Sequence, residues 1–276
     1  MSDDRLPALL YHYTDLAGLT GIIESRKLWA THIRCLNDES EFRYGRQLLG
    51  KNVESIRAEF QDTYAAKIVF DSAAALAVAP TSLDTFVASL CEDGDNLGQW
   101  RGYGGFAVGF RRESLAAISQ MQDYSLIRVI YAIDEQVAHV GNALKELVPI
   151  VDAWATDGAN APPALEQLLL IGSGLTIVML WIKNSLFRDE REWRLDRVNL
   201  TGPSNPREKR RVRGAVEIPY EEISLTDAAT DETPIAEVVI GPLTWSDACA
   251  AQVRSFLDMN GLAHVPIRRS EVPLRE

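Results

Sequence analysis

The sequence predicts an α+β fold, and three observations lead to it. Strand and helix signals are mixed along the 276 residues without a steady strand–helix–strand rhythm, which disfavours a doubly wound parallel sheet. Hydrophobic residues make up 46% of the chain, enough to bury a sizeable core. No internal linker, repeat or low-complexity tract divides the chain, so residues 1–276 read as a single domain.

The elements follow in order. Leu9 to Tyr13 reads as a short strand, and Thr14 or Asp15 can cap the helix behind it. In that helix Leu16, Leu19, Ile22 and Ile23 recur at helical spacing. Leu28–Ala30 reads as a strand and Cys35–Asp38 as a turn. A polar helix is expected from Glu39 to about Gln61, broken near Gly50. Thr85–Cys91 and Phe106–Phe110 read as strands, with a helix from Arg112. Leu126–Ile133 is rich in β-branched residues and reads as a strand. A helix from Glu135 to about Trp154 precedes a Gly/Pro/Asn loop at Asp157–Pro163. Leu165–Ile182 is apolar but interrupted by Glu166, Gln167, Gly172, Ser173, Gly174 and Thr176, so a buried helix is expected and not a membrane span. Pro203–Arg213 is a basic excursion, Gly214–Pro219 and Ile235–Ile240 are strands, Ser246 caps a helix through Met259, and His264–Arg268 closes as a strand.

Composition excludes several function classes. The net charge of −11 gives no overall attraction for phosphate backbones, although a local basic patch is compatible with it. Cys35, Cys91 and Cys249 are odd in number and widely spaced, and the four histidines form no HExxH arrangement, so neither a disulfide framework nor a metal site is expected. The acidic, polar opening Met1–Arg5 lacks the features of a signal peptide, and a cytoplasmic protein with no membrane partner is expected. The usual nucleotide-binding glycine loops are absent.

Four constellations can carry chemistry. Tyr11–His12–Tyr13–Thr14 places His12 at a strand end before a helix N-terminus, where an imidazole can bond a ribose hydroxyl or simply satisfy a buried carbonyl. Asn37 and Asp38 fit a helix-capping turn, with Glu41 in the first helical turn. Ser89 and Cys91 share a strand face, and Trp100 and Tyr103 flank a glycine-rich turn where either ring can stack on a flat heterocycle or pack in the core. The fourth run is Lys183 to Leu195. As a strand it puts Arg188, Glu190, Glu192 and Arg194 on one face, suited to a sugar ring and its oxocarbenium ion, or to a solvated charge ladder. The basic run Arg207, Lys209, Arg210, Arg211 and Arg213 fits a solvated loop or a steering patch for a phosphate-bearing target.

Together these pieces resemble the bacterial family called domain of unknown function 2971. The resemblance rests on His12–Thr14, Leu36–Glu41, Ser89, Trp100 with Tyr103 and Gly105, Lys183, Glu190–Arg194, and Val238–Pro242. That family is in turn similar to ADP-ribosyltransferases. The similarity implies a split, mostly antiparallel sheet with surrounding helices and a cleft between its halves. It implies NAD as substrate, with no metal. His12 would lie on the NAD ribose, together with Tyr13 and Thr14. Ser89 would form the cleft floor, Tyr103 or Trp100 would lie near the nicotinamide, and Arg194 would line the site. Glu192 would be the catalytic glutamate and Glu190 would position an acceptor, protein or nucleic acid. Cys91 stands where the Ser-Thr-Ser pattern of those enzymes ends. The implied activity is transfer of ADP-ribose. The alternatives are NAD hydrolysis, in a toxin or phage-defence role, and nucleotide or protein binding without turnover.

Overall fold

In a computed structural model, residues 6–35, 39–78, 84–156, 162–199 and 205–273 are described, with the side chains of 39–42, 164 and 165 left aside. The Leu36–Asn37–Asp38 turn and the Glu41 side chain fall outside these residues.

The chain opens with β1 (Leu9–Thr14), α1 (Leu16–Ser25) and β2 (Lys27–His32). The Asp15 carboxylate caps α1 by accepting from the Gly18 N–H at 2.8 Å. α2 (Glu39–Arg57), α3 (Tyr64–Val78), β3 (Asp84–Cys91), α4 (Leu97–Tyr103), β4 (Phe106–Arg111), α5 (Arg112–Gln120) and β5 (Ser125–Arg128) follow. α6 (Ile133–Thr156), α7 (Ala164–Leu180), a 3-10 turn at Ser185–Glu190 and β6 (Glu192–Asn199) lead to the hairpin β7 (Lys209–Arg213) and β8 (Val216–Ser224). β9 (Ile235–Ile240), α8 (Asp247–Met259) and β10 (Ile267–Arg269) close the chain.

Among the described residues ten strands form one sheet, in the order β10-β9-β4-β1-β3-β2-β8-β7, with β6 also on β3 and β5 on β6. All named pairs are antiparallel except β9 with β10. The expected α+β class and mostly antiparallel sheet are therefore found. β3 is the centre of the sheet. β6 pairs with it along its whole length, from Asp84↔Asn199 to Cys91↔Glu192, and fills one edge. β1 and β2 must then share the other. β2 takes Phe86 and Val87, and β1 takes Cys91 through Tyr11. Between these contacts the edge is open, and Ser89 is the one exposed residue in the second to eighth positions of β3. One edge of β3 is therefore open at Ser89, while the other stays paired with β6.

Apolar alternation buries both faces. α1, α5 and α8 bring Leu19, Ile23, Leu115 and Leu257 against Leu10, Leu90, Val108 and Leu195 of the sheet. α2, α3, α6 and α7 form a second apolar cluster around Leu49, Phe70, Leu144 and Ile171. No helix among the described residues is long and apolar enough to cross a membrane.

Several readings need correction, among them the strand expected over Leu126–Ile133, which ends at Arg128 while Ile133 opens α6, and the basic excursion, whose Lys209–Arg213 part is strand β7. α2 runs unbroken through Gly50, because a Cβ there would meet the Ala77 Cβ at 3.2 Å, and the missing side chain lets α2 and α3 pack closely. α3, rich in alanine and without strong periodicity, was not anticipated. The glycine-rich stretch around Trp100 is not a hairpin turn but α4, started by the Asn96 side chain accepting from the Gln99 N–H at 3.2 Å.

Gly104 joins α4 to β4 at φ 126°, and a Cβ there would lie 2.7 Å from the Thr14 carbonyl oxygen. Gly104→Ala should therefore cost roughly 1–3 kcal/mol. The check is a lowered urea midpoint at unchanged slope; an unchanged midpoint would show that this junction is not strained.

Candidate functional site

The open edge of β3 becomes a pocket of about 50 Å³, lined by Tyr11, His12, Tyr13, Ser89, Leu90, Gln99, Tyr103, Lys183, Glu190 and Glu192. Residues from the start of the chain and the late acidic pair thus line one concavity.

His12 enters the gap between β1 and β3, and its Nδ1 lies 2.9 Å from the Ser89 carbonyl oxygen. A carbonyl only accepts, so Nδ1 carries the proton. Burial lowers the imidazole pKa, the Ser89 carbonyl opposes this, and the positive Arg211 lowers it further. Neutral His12 therefore presents Nε2 as an acceptor. Both sequence readings of His12 coexist: it satisfies a strand carbonyl and it lines the pocket.

The acidic wall is built by β6 and the turn before it. The 3-10 turn starts at Asn184, whose side chain accepts from the Leu186 N–H at 3.0 Å, and ends at Arg191 in the left-handed region (φ 43°). Lys183 to Leu195 is therefore not one strand. Glu190 ends the turn, Glu192 begins β6, and Arg188 points into solvent. Lys183 is 2% exposed, yet its Nζ bonds Glu190 Oε2 at 2.7 Å and Glu192 Oε2 at 2.9 Å. Arg194 grips Glu192 with two donors, Nε to Oε1 at 2.8 Å and Nη2 to Oε2 at 2.9 Å, and gives Nη1 to the Leu180 carbonyl at 2.8 Å. Burial opposes ionisation of Glu192, but the two cations outweigh it and hold its pKa to about 2. These bonds occupy three of roughly four acceptor positions on the carboxylate and leave one. The Glu192 N–H bonds the Tyr131 hydroxyl oxygen at 3.0 Å, and Gln136 Nε2 bonds the Lys183 carbonyl at 2.7 Å, so the backbone of the cluster is also held.

Cys91 anchors the turn: its thiol donates to the Glu190 carbonyl at 2.9 Å, and burial pushes its pKa up to about 12. It is a structural thiol, not a nucleophile. Asn96 Nδ2 bonds the Asp189 carbonyl at 2.8 Å, which ties the start of α4 to the same turn.

Of the predicted residues, His12, Tyr13, Ser89, Tyr103, Glu190 and Glu192 line the pocket. Trp100 does not. It packs edge-on against Tyr13 (4.6 Å between centroids) and gives Nε1 to Asp95 at 2.8 Å, because the helical turn of α4 rotates it into the core. Of the two aromatic candidates, Tyr103 is the one at the pocket. Thr14 and Arg194 are also absent from the lining: Thr14 packs beside Gly18, and Arg194 lies behind Glu192. Tyr13 lines the wall but has its hydroxyl committed, donating to the Asp93 carbonyl at 2.7 Å and accepting from the Asn96 N–H at 2.8 Å. Sequence reasoning assigned no role to Lys183. Its signal was a lone lysine after the apolar run Ile177–Ile182, a place where a buried cation needs a buried anion. Among the described residues no group of three metal-ligating side chains is present.

A family model described as protein of unknown function (DUF2971) matches residues 99–195. That stretch runs from α4 to β6 and includes Tyr103, Lys183, Glu190 and Glu192; His12 and Ser89 precede it. No curated protein and no solved structure matched the chain.

Two carboxylates on β6 set opposite pH dependences. Glu192 has its folded pKa depressed from 4.5 to about 2, so its stabilisation is present above 4.5 and lost as pH falls toward 2. Asp196 is buried, and burial raises its pKa from 3.8 to about 7 despite the nearby Arg194. Its charged form is disfavoured in the fold, so stability declines as pH rises from about 4 to 7. Asp196→Asn should remove that decline: its unfolding free energy relative to wild type should grow between pH 4 and 7 and stay level above. A constant difference across this range would contradict the assignment.

Proposed function

We propose that the chain is an NAD-dependent ADP-ribosyltransferase. The observation that carries this reading is the convergence of a neutral histidine, an exposed tyrosine and an ionised glutamate on one pocket at the open edge of β3. In the proposed reaction the bond between ribose C1′ and nicotinamide breaks, and its electron pair leaves on nicotinamide. The ribose becomes oxocarbenium-like. Glu192, kept anionic by Lys183 and Arg194, accepts a hydrogen bond from the 2-hydroxyl with its remaining acceptor position and stabilises that cation. His12 Nε2 accepts from a ribose hydroxyl on the opposite wall, and Tyr103 covers the nicotinamide. Glu190 positions the acceptor, whose nucleophile bonds to C1′ and passes its proton to that carboxylate.

A pocket of about 50 Å³ holds a few waters and is smaller than NAD, so NAD binding requires its lining, which includes Gln99 and Tyr103 on α4, to open. Closure of α4 over the bound substrate would exclude water and favour transfer over hydrolysis. A second reading, binding without turnover, is favoured by how fully Glu192 is engaged, with Lys183 and Arg194 together covering both of its oxygens.

The test is NAD labelled in its adenosine part, incubated with cell lysate and wild type, Glu192→Gln or Tyr103→Ala. Wild type should release nicotinamide and label a macromolecule. Glu192→Gln should slow release by about 10²- to 10³-fold. Tyr103→Ala, on the exposed side of α4, should raise KM. Because Glu192→Gln leaves two cations short of an anion, its fold is checked by circular dichroism. Nicotinamide release without labelling would mean hydrolysis. NAD bound but not consumed by wild type would mean a binding module, and no interaction with NAD would end the reading.

A further inference from the structure

Two residues of the basic run, the half-buried Arg211 and the exposed Arg213, pair with no carboxylate among the described residues, and Arg211 is the one held in place. Arg207 pairs with Asp123 at 2.9 Å, Lys209 with Glu222 at 2.8 Å, and Arg210 with Glu208 at 3.2 Å and Glu217 at 3.1 Å. Among the described residues no carboxylate pairs with Arg211. Its guanidinium lies over Trp29 (5.1 Å to the ring centroid) and Tyr220 (5.8 Å), and Nη2 donates to Thr31 Oγ1 at 3.1 Å. Two rings and a hydroxyl fix the orientation of the fork and leave further N–H donors without a carboxylate partner. Burial and the neighbouring Arg213 both work against its charge. A half-buried cation with no carboxylate partner among the described residues, in a chain of net charge −11, is a site made for an incoming anion.

Its position names the anion. Thr31, which holds Arg211, lies opposite Val87 on β3. Val87 and Ser89 project to the same face, roughly 7 Å apart along the strand. Arg211 does not line the pocket itself; it lies on the β2–β8–β7 side of the open edge, on the sheet face that carries Ser89, and its charge lowers the His12 pKa. We propose that Arg211 binds a phosphate of the ligand whose sugar occupies the pocket at the open edge, so that the site selects phosphorylated nucleosides over unphosphorylated ones. This rests on the NAD reading above for the identity of the ligand, but the anion site can be tested apart from it. A planar fork suits a phosphate oxygen pair, and both donor and acceptor are charged, which makes such bonds the strong ones.

The experiment is calorimetric titration of the full chain with NAD, nicotinamide riboside and inorganic pyrophosphate, for wild type, Arg211→Gln and Arg211→Lys. Arg211→Gln should weaken NAD binding by about 10- to 100-fold and leave nicotinamide riboside within about twofold. Pyrophosphate should bind wild type and be lost in Arg211→Gln. If Arg211→Gln does not fold, Arg211→Lys carries the test: it keeps the charge but not the fork, and should weaken NAD while sparing the riboside. NAD binding unchanged in either folded variant would overturn the proposal and leave the NAD reading standing. Pyrophosphate binding that depends on Arg211, with no NAD binding, would uphold the phosphate site and end the NAD reading. Binding of neither ligand by wild type would overturn both.

Discussion

One edge of β3 has to serve two strands. β6 occupies the whole of the other edge, so β1 and β2 divide what remains and cannot meet. The backbone at Ser89 is left between them, and an unpaired carbonyl in a sheet needs a donor. His12 supplies it. The pocket, the neutral state of the imidazole and the exposure of Ser89 within a buried strand all follow from that division of the edge.

The opposite wall is governed by charge. Lys183, Glu192 and Arg194 are each buried, and Glu192 is kept there by pairing with both cations. Removing one partner would leave an uncompensated ion, at a cost of roughly 3–5 kcal/mol. The same network fixes Glu192 in its anionic form and orients Glu190 through the shared lysine. Fold and site are therefore coupled here: the residues proposed to act on a sugar cation also hold β6 to the end of α7 through the Leu180 carbonyl. Asp196, farther along β6, has its Oδ1 buried with no partner among the described residues, and burial draws it toward its neutral form.

Much of this was legible in the sequence. The caps of α1 and α8 were readable because Asp15 and Ser246 are followed by apolar residues at helical spacing. β3 and β9 were readable as short apolar runs between turn signals. The convergence of His12 with Glu190 and Glu192 came from the resemblance, since no local pattern states which strands will be neighbours. What stayed hidden was local geometry. Four glycines, Gly98, Gly102, Gly104 and Gly105, argued for a turn where the Asn96 cap instead starts α4, and that helix turns Trp100 inward and Tyr103 outward. The charged run before β6 alternates like a strand, yet Asn184 and the left-handed Arg191 bend it into a 3-10 turn. Lys183 was hidden because its partners lie seven and nine residues away and meet it only through that bend.

The central claim is that a nicotinamide riboside lies between His12 and Glu192. With four histidines in the chain, the imidazole nitrogens of His12 can be assigned by comparison with His12→Gln in a nitrogen-15 spectrum. The account predicts a neutral ring protonated at Nδ1 in the free protein, and a shift at Nε2 when NAD is added, with Nδ1 unmoved. A His12 spectrum that does not respond at NAD concentrations that saturate binding would contradict it.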